Sequence, residues 1–353
     1  MNIAEKLGLS IEHFCRMTIT TKMLFSNVLG HSAELHYEKF LYTQNTSFEK
    51  APTDVHYDYI VNKEKHQVKR FESASTDNNF IGVNLTQTHG DRSGADAFYK
   101  RTDFKKLILY DVGFINFLNI DVKDIPHHPD YTERLPGRFR IPRPDNKKLE
   151  GFDLDFLNTL KIKNAKFPEA VESLRRKNNW NYQQLLEKSC NLTFDEIDSL
   201  FSEENFRLVV GAKGFAAEEH FNIFLEKHNI PYKQIKEMYS KVDHLVKDKT
   251  RVQVKIPNER STSDNYWGVK THKSHGHGEG ELYPADAFDI LALFIGFEMN
   301  KDYSKYFPKS VSGKFIFIPI SDLERHPDYP SHLKRVSQIK KDKYTTNDVS
   351  VLE

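Results

Sequence analysis

The chain contains itself twice, and that repetition constrains its fold more than any other feature. Residues 67–83 lie without gaps on residues 253–269, sharing Gln-Val-Lys, Ser-Thr, Asn and Gly-Val at roughly half of the positions. Upstream, Ala33-Glu34-Leu35-His36-Tyr37 and Phe40-Leu41 match Ala217-Glu218-Glu219-His220-Phe221 and Phe224-Leu225, both with helical spacing. Between that helix and Gln-Val-Lys, each half carries a short acidic strand, 55–61 against 239–246, which pairs Asp58 with Asp243. Downstream, Thr88-His89-Gly90 matches Ser274-His275-Gly276 before the halves diverge in a loop. Past the loop, setting 99–110 on 283–294 preserves an apolar strand. It is preferred to setting the identical Ala-Asp-Ala-Phe of 95–98 on 285–288. The halves are expected to end alike, 137–142 against 313–319.

A duplicated unit within 353 residues implies two domains, each large enough to bury its own core. With 38% hydrophobic and 29% charged residues the chain has the profile of a protein that folds throughout, not of a disordered one. Apolar runs fall short of a bilayer span, and residues 1–10 lack the basic and then apolar build of a signal peptide. Cys15 and Cys190 are too few for a disulfide framework or a cysteine-rich zinc site. The expected location is therefore cytoplasmic, with no membrane partner. A net charge of +1 gives no global footprint for nucleic acid, although a basic groove and an acidic metal site can coexist in a neutral chain. No glycine-rich phosphate loop supports use of ATP.

Each half opens with a pair of helices resembling a helix-turn-helix, at 3–12 and 185–196, a pattern equally common in ordinary helical caps. Ser10 and Thr193 are suited to cap the second helix, and Thr193 with Glu196 forms a capping box. The turn-rich stretch 143–148 and the helical spacing of 168–177 read as a partly helical connector. The expected organisation is a first repeat at 1–142, a connector at 143–184 and a second repeat at 185–353. The fold class is α/β: two tandem units, each a mixed sheet flanked by helices, related by a pseudo-twofold axis.

Each half offers, in order, a helix with a Glu, a strand with an Asp and a strand with Gln-x-Lys. Residues two apart on a strand share a face, so Gln67 projects with Lys69 and Gln253 with Lys255. Pairing of the two strands adds Asp58 or Asp243. Two oxygen ligands and an ammonium then converge where a divalent cation can hold a water against a phosphate.

This order resembles the PD-(D/E)xK, or restriction endonuclease-like, nuclease superfamily, across both halves and nearly the whole chain outside the connector. The resemblance implies a first site of Glu34, Asp58, Gln67 and Lys69 and a second of Glu218, Asp243, Gln253 and Lys255. In each, the two acids and the Gln would bind Mg²⁺, with Mn²⁺ as an alternative, and the Lys would position or activate the attacking water. It further implies double-stranded DNA as substrate and a type II-like restriction endonuclease working as a single-chain pseudo-dimer, for which a monomer suffices. Gln stands where the family name expects an acid. Some branches use Gln-x-Lys and are active, and an uncharged carbonyl ligand implies weaker metal affinity. The rival readings are a recombination, transposition or repair nuclease of the same fold, or a DNA-binding protein that does not cut.

The tract 271–281, rich in His and Gly, reads as a flexible loop touching DNA rather than a zinc site. Asn84 and Lys270 occupy equivalent places after Gly-Val and are candidates for phosphate contact. Arg138, Arg140 and Arg143 are candidates for a groove, with a solvated surface as the plain alternative.

Overall fold

The computed structural model describes residues 1–52, 55–86, 97–113, 117–144, 147–202, 204–235, 240–258, 261–272, 282–299 and 306–352. In the first half, α1 (Ile3–Lys6) is closed by an Asn2–Glu5 capping box, and Ser10 caps α2 (Ile11–Thr20) by accepting the His13 N–H. In α3 (Lys22–Thr43), Leu29, Ala33, Tyr37 and Leu41 recur every fourth residue and are all buried, which fixes the face laid on the sheet. Seven strands follow: β1 (Phe48–Lys50), β2 (Tyr59–Val61), β3 (Glu64–Arg70), β4 (Phe80–Asn84), β5 (Lys106–Tyr110), β6 (Leu118–Asp121) and β7 (Arg138–Pro142). The connector supplies α4 (Phe152–Lys161) and α5 (Phe167–Lys177), the latter with Pro168 in its first turn.

The second half repeats the plan with α6 (Tyr182–Cys190), α7 (Phe194–Leu200) and the 22-residue α8 (Phe206–Lys227). Its strands are β8 (Tyr232–Gln234), β9 (His244–Val246), β10 (Thr250–Lys255), β11 (Tyr266–Lys270), β12 (Ile290–Phe294), β13 (Phe297–Met299), β14 (Pro308–Val311), β15 (Phe315–Pro319) and β16 (Val336–Lys340).

The two five-stranded sheets have the same topology. The first runs β1-β2-β3-β5-β6, the second β8-β9-β10-β12-β15. In each, the third and fourth strands are parallel and every other pair is antiparallel. The fold class is α/β, two mixed sheets of five strands flanked by helices, as the repeat implied. Gln67 and Lys69 face Leu107 and Leu109 across the parallel pair, while Gln253 and Lys255 face Leu291 and Leu293. This is the register that sets 99–110 on 283–294.

One expected correspondence fails. Residues 137–142 do not match 313–319: Phe315–Pro319 is the outer strand beside β12, so its counterpart is β6, while β7 pairs with β4 just as β16 pairs with β11. The shared glycine, basic residue and phenylalanine pointed to the wrong strand, because strand identity lies in pairing partners rather than in local letters. The matches at 88–90 and 274–276, and the tract at 273–281, lie outside the described residues.

Several of the shared letters belong to one turn. Thr76 Oγ1 accepts the Gly82 N–H at 2.8 Å and Thr262 Oγ1 accepts the Gly268 N–H at 3.1 Å. A Cβ on Gly82 would overlap the Ser75 hydroxyl and lie 2.9 Å from Glu72 O, and one on Gly268 would overlap Ser261. Asn79 O accepts the Arg143 N–H at 2.7 Å and Asn265 O the Lys341 N–H at 3.0 Å. Ser-Thr and Gly thus persist because the backbone approaches itself there, while the two Asn contacts are made by main-chain carbonyls.

The helical pairs that open each half are buried at the junction of the halves. Phe14 meets Phe194 and Phe201 edge-on at 6.2 and 5.3 Å, and Arg16 Nε donates to Glu219 at 3.0 Å. The contacts are reciprocal: His220 Nε2 bonds Leu7 O and His36 Nε2 bonds Cys190 O, each at 2.8 Å. Each imidazole also stacks at 11° on the strand beneath, His36 on Tyr110 and His220 on Phe294. A continuous core runs from Ile3 through α5 and α7 to Ala216. Among the described residues no helix is long and apolar enough to cross a membrane.

Candidate functional site

The β2–β3 hairpin sets the first site. Asn62 and Lys63 both have positive φ, the twist that suits a two-residue hairpin turn, and the ladder continues one residue outward where the Asp58 N–H donates to His66 O at 2.9 Å. Asp58 thereby sits beside Gln67 rather than within the strand. Its Oδ2 accepts the Val68 N–H at 2.7 Å and the amide of Gln67. Gln67 Nε2 donates a second bond to Val68 O at 3.2 Å.

The second site is built the same way despite one additional turn residue. The Asp243 N–H donates to Val252 O at 2.9 Å, and Asp243 Oδ2 accepts Val254 N–H at 2.7 Å and Gln253 Nε2 at 2.5 Å. Gln253 Nε2 also donates to Val254 O at 3.3 Å. Both glutamines are 3% exposed, and Gln253 Oε1 is buried with no hydrogen-bond partner among the described residues.

Lys69 and Lys255 project from the same strand faces as the glutamines. Burial pulls Lys69 down, but Tyr99, Asp58 and Glu34 outweigh it and hold the ammonium above its ordinary range. Lys255 is raised against the same opposing burial by Tyr283, Asp243 and Glu218. Asp58 is pushed up to about 7, chiefly by burial and then by the Glu34 carboxylate, against the opposing pull of Lys69 and the Val68 N–H. For Glu34 burial acts upward, yet the hydrogen bond and charge of His31, then Lys69 and Lys50, hold it below the usual carboxylate range. His31 Nδ1 lies 3.4 Å from Glu34 Oε2, whereas the equivalent position in the second half is Phe215. A cleft of about 400 Å³ opens beside Glu34, lined by His31, Glu38 and Lys50 and, from the second half, Ser199 and Asn205.

All four residues named for each site are therefore brought together, with Glu218 reaching Lys255 electrostatically as Glu34 reaches Lys69. The groove candidates fare differently. Arg143 is fully buried in an ion pair with Asp111, so it lines no groove. Arg138 pairs with Glu72 at 3.1 Å and Arg140 with Asp77. Asn84 Oδ1 accepts Thr86 N–H at 2.9 Å, a local turn bond, while Lys270 is exposed at the end of β11.

Two repeated features have no role in the sequence reading, although it sets 99–110 on 283–294. Tyr99 and Tyr283 each stand over their lysine, 5.5 and 5.7 Å from ammonium to ring centroid. His128-Pro129-Asp130-Tyr131 recurs as His326-Pro327-Asp328-Tyr329, and the backbone behind it docks on each tyrosine, Leu135 N–H to Tyr99 O and Leu333 N–H to Tyr283 O. The four identical letters were a visible signal, hidden by the mistaken match of 137–142 with 313–319.

The donor set suits a hard cation. Among the described residues no three His, Cys, Asp and Glu side chains converge as a metal-holding group, so a cation at either site would need a neutral oxygen, from an amide or from water, beside the two acids. Gln253 Oε1, buried and with no hydrogen-bond partner among the described residues, is such a donor.

No family model and no curated protein matches this chain. Among solved structures, a bacterial homing endonuclease, I-Ssp6803I, is similar at a TM-score of 0.27 and 15% identity, over 36% of this chain and 85% of that one.

Proposed function

We propose that the chain is a metal-dependent endonuclease that hydrolyses double-stranded DNA, with one site in each half serving one strand. The observation that carries this reading is the duplicated constellation: the same Asp, Gln, Lys and Glu converge twice through the same local bonds. A solvated strand face has no reason to keep a buried Gln bonded to an acid beside a charged, buried Lys in both copies.

Asp58, Gln67 and Glu34 would hold Mg²⁺ or Mn²⁺ in the first site, and Asp243, Gln253 and Glu218 in the second. The cation supplies Lewis acidity toward water and phosphate. The protein's own part is electrostatic. Lys69 and Lys255 present fixed ammonium donors to a phosphate oxygen as its charge grows, in a site where desolvation strengthens the contact. Asp58 and Asp243, each locked by a backbone N–H, keep the ligand oxygens from turning. The reciprocal junction of the halves supports a pseudo-dimer of the restriction type, fused so that its two sites need not read a symmetric sequence.

Plasmid cleavage tests the reading. Lys69→Ala removes one ammonium and leaves the other site whole, and Lys255→Ala does the reverse. Loss of such a group lowers the rate by about a hundredfold or more. Each single variant should convert supercoiled plasmid to open circle and stop, with opposite strands nicked, and the double variant should be inert. Undiminished cutting in excess chelator, or full double-strand cleavage by the double variant, would sink it.

A further inference from the structure

We infer that Arg16, in the first half, is a positioning residue of the second site, acting through Glu219, Asn222 and His244 on the helix and the strand that bring Glu218 and Asp243 together. The inference deepens the nuclease reading above and rests on it for what the two acids hold.

In each half the two acids come from different elements, so the gap between them depends on how the helix is fastened to the strand. The fastening joins the residue one turn beyond the Glu to the residue just after the Asp. In the second half His244 Nε2 donates to Asn222 Oδ1 at 2.7 Å. In the first half the Tyr59 hydroxyl donates to Glu38 Oε1 at 2.8 Å and lies 3.3 Å from Glu34 O. The partners differ, Asn with His and Glu with Tyr, yet each pair spans the same two places. A bond kept while both of its partners change marks the link itself as what is needed.

The second link continues across the junction of the halves. Asn222 Nδ2 donates to Glu219 Oε2 at 3.0 Å, and Arg16 Nε, from α2, donates to Glu219 Oε1 at 3.0 Å. A carboxylate only accepts, so Asn222 turns its amide nitrogen to Glu219 and its carbonyl to His244. Glu219, Asn222 and His244 are 5%, 4% and 9% or less exposed, so water competes little for these bonds. At the matching places the first half has Leu35 for Glu219 and, six residues past the helix cap as Arg16 is, Ser199. Both of these line the cleft beside Glu34. Where the second half sets a charge pair, the first has open space. A buried charge pair returns little net stability against apolar side chains of similar volume. What it supplies is direction, since a fixed carboxylate orients the amide and the amide orients the imidazole next to Asp243.

The test titrates the full-length, metal-free protein with Mn²⁺, following free Mn²⁺ by electron paramagnetic resonance, in two backgrounds. Asp58→Asn leaves the second site to bind, and Asp243→Asn leaves the first. Arg16→Ser with Glu219→Leu copies the residues of the first half and strands no buried charge. Asn222→Ser breaks the chain with the charge pair intact, and should one of these variants fail to fold, the other decides. Each should weaken Mn²⁺ binding at the second site about tenfold, as loss of a group that orients a metal ligand does, and leave the first site unchanged. Tyr59→Phe should do the reverse. With plasmid, the Mg²⁺ needed to nick the strand served by the second site should rise by a similar factor. Unchanged affinity at the second site in a folded variant, or equal weakening of both sites, overturns the inference even if the parent cuts DNA. A parent that binds Mn²⁺ with these differences but never cuts removes the nuclease reading and leaves the positioning chain in place. A parent that binds no Mn²⁺ removes both.

Discussion

At the residue scale, the glutamines explain themselves through their neighbours. The Gln67 amide donates to Asp58 and to Val68 O, so the uncharged side chain is complementary to a carboxylate in the absence of metal. A Glu there would set two acceptors against each other beside an Asp already pushed up to about 7. We therefore expect Gln67→Glu in chelator to be destabilised by about 1–3 kcal/mol, a buried like-charge contact having replaced a hydrogen bond. Mg²⁺ should restore more stability to this variant than to the parent, since the added charge then faces a cation. Thermal unfolding with and without Mg²⁺ checks this, and an unchanged midpoint in chelator would show that the amide bond to Asp58 carries no weight. The acid, the amide and the lysine were legible from order and spacing, because period two on a strand dictates which side chains travel together. Tyr99 was not, because it reaches Lys69 from a segment thirty residues away in the chain.

At the element scale, the strand-and-turn unit of β3, β4 and β7 holds its shape by close backbone approach. Gly82 and Gly268 admit no Cβ without displacing Ser75 or Ser261, and Glu72 O limits the room left for adjustment at Gly82. Gly82→Ala and Gly268→Ala should each lower stability by about 1–3 kcal/mol, as overpacking does in a site that cannot relax. Chemical denaturation measures it. A shift below a few tenths of a kcal/mol in both would mean that the turn yields, and that the shared Ser-Thr and Gly need another explanation. These letters look as persistent as Gln-Val-Lys in the alignment. Only the hydrogen bonds from Gly82 and Gly268 to Thr76 and Thr262 separate a structural cause from a chemical one.

At the scale of the whole molecule, two imidazoles join the halves. His36 is held below its ordinary range, first by burial and then by Lys39, against the Cys190 carbonyl and Glu196, which pull upward. His220 is lowered by burial and by His13, against the Leu7 carbonyl and Glu219. A group with a depressed folded pKa binds its proton more weakly folded than unfolded, so for these bases stability is present above the unfolded value of about 6.5 and is lost as pH falls below it. The two histidines therefore contribute a loss of stability between about pH 7.5 and 5.5, opposed there by Asp58, whose carboxyl is pushed up to about 7 and favours the folded state as pH falls, so His36→Gln with His220→Gln should make the melting temperature fall less, or rise more, over that window than in the parent. A slope of equal steepness in the double variant would place the pH dependence elsewhere. This junction also assigns the opening helical pairs a part in assembly, since Phe14, Leu185, Leu186 and Ile197 are buried in the core that the halves share.

The sequence by itself determined the duplication, the α/β class, the strand on which Gln and Lys share a face, and the pairing of Asp58 with Asp243, because each is carried by short-range periodicity or by similarity between copies. Only the tertiary structure decided which strand corresponds to β15, that Arg143 is spent on buried Asp111, that Tyr99 and Tyr283 meet the lysines, and that each half's helical pair packs against the other half. Those facts rest on contacts between residues far apart in the chain, and burial and pairing across sheets and helices leave no periodic trace in a linear string.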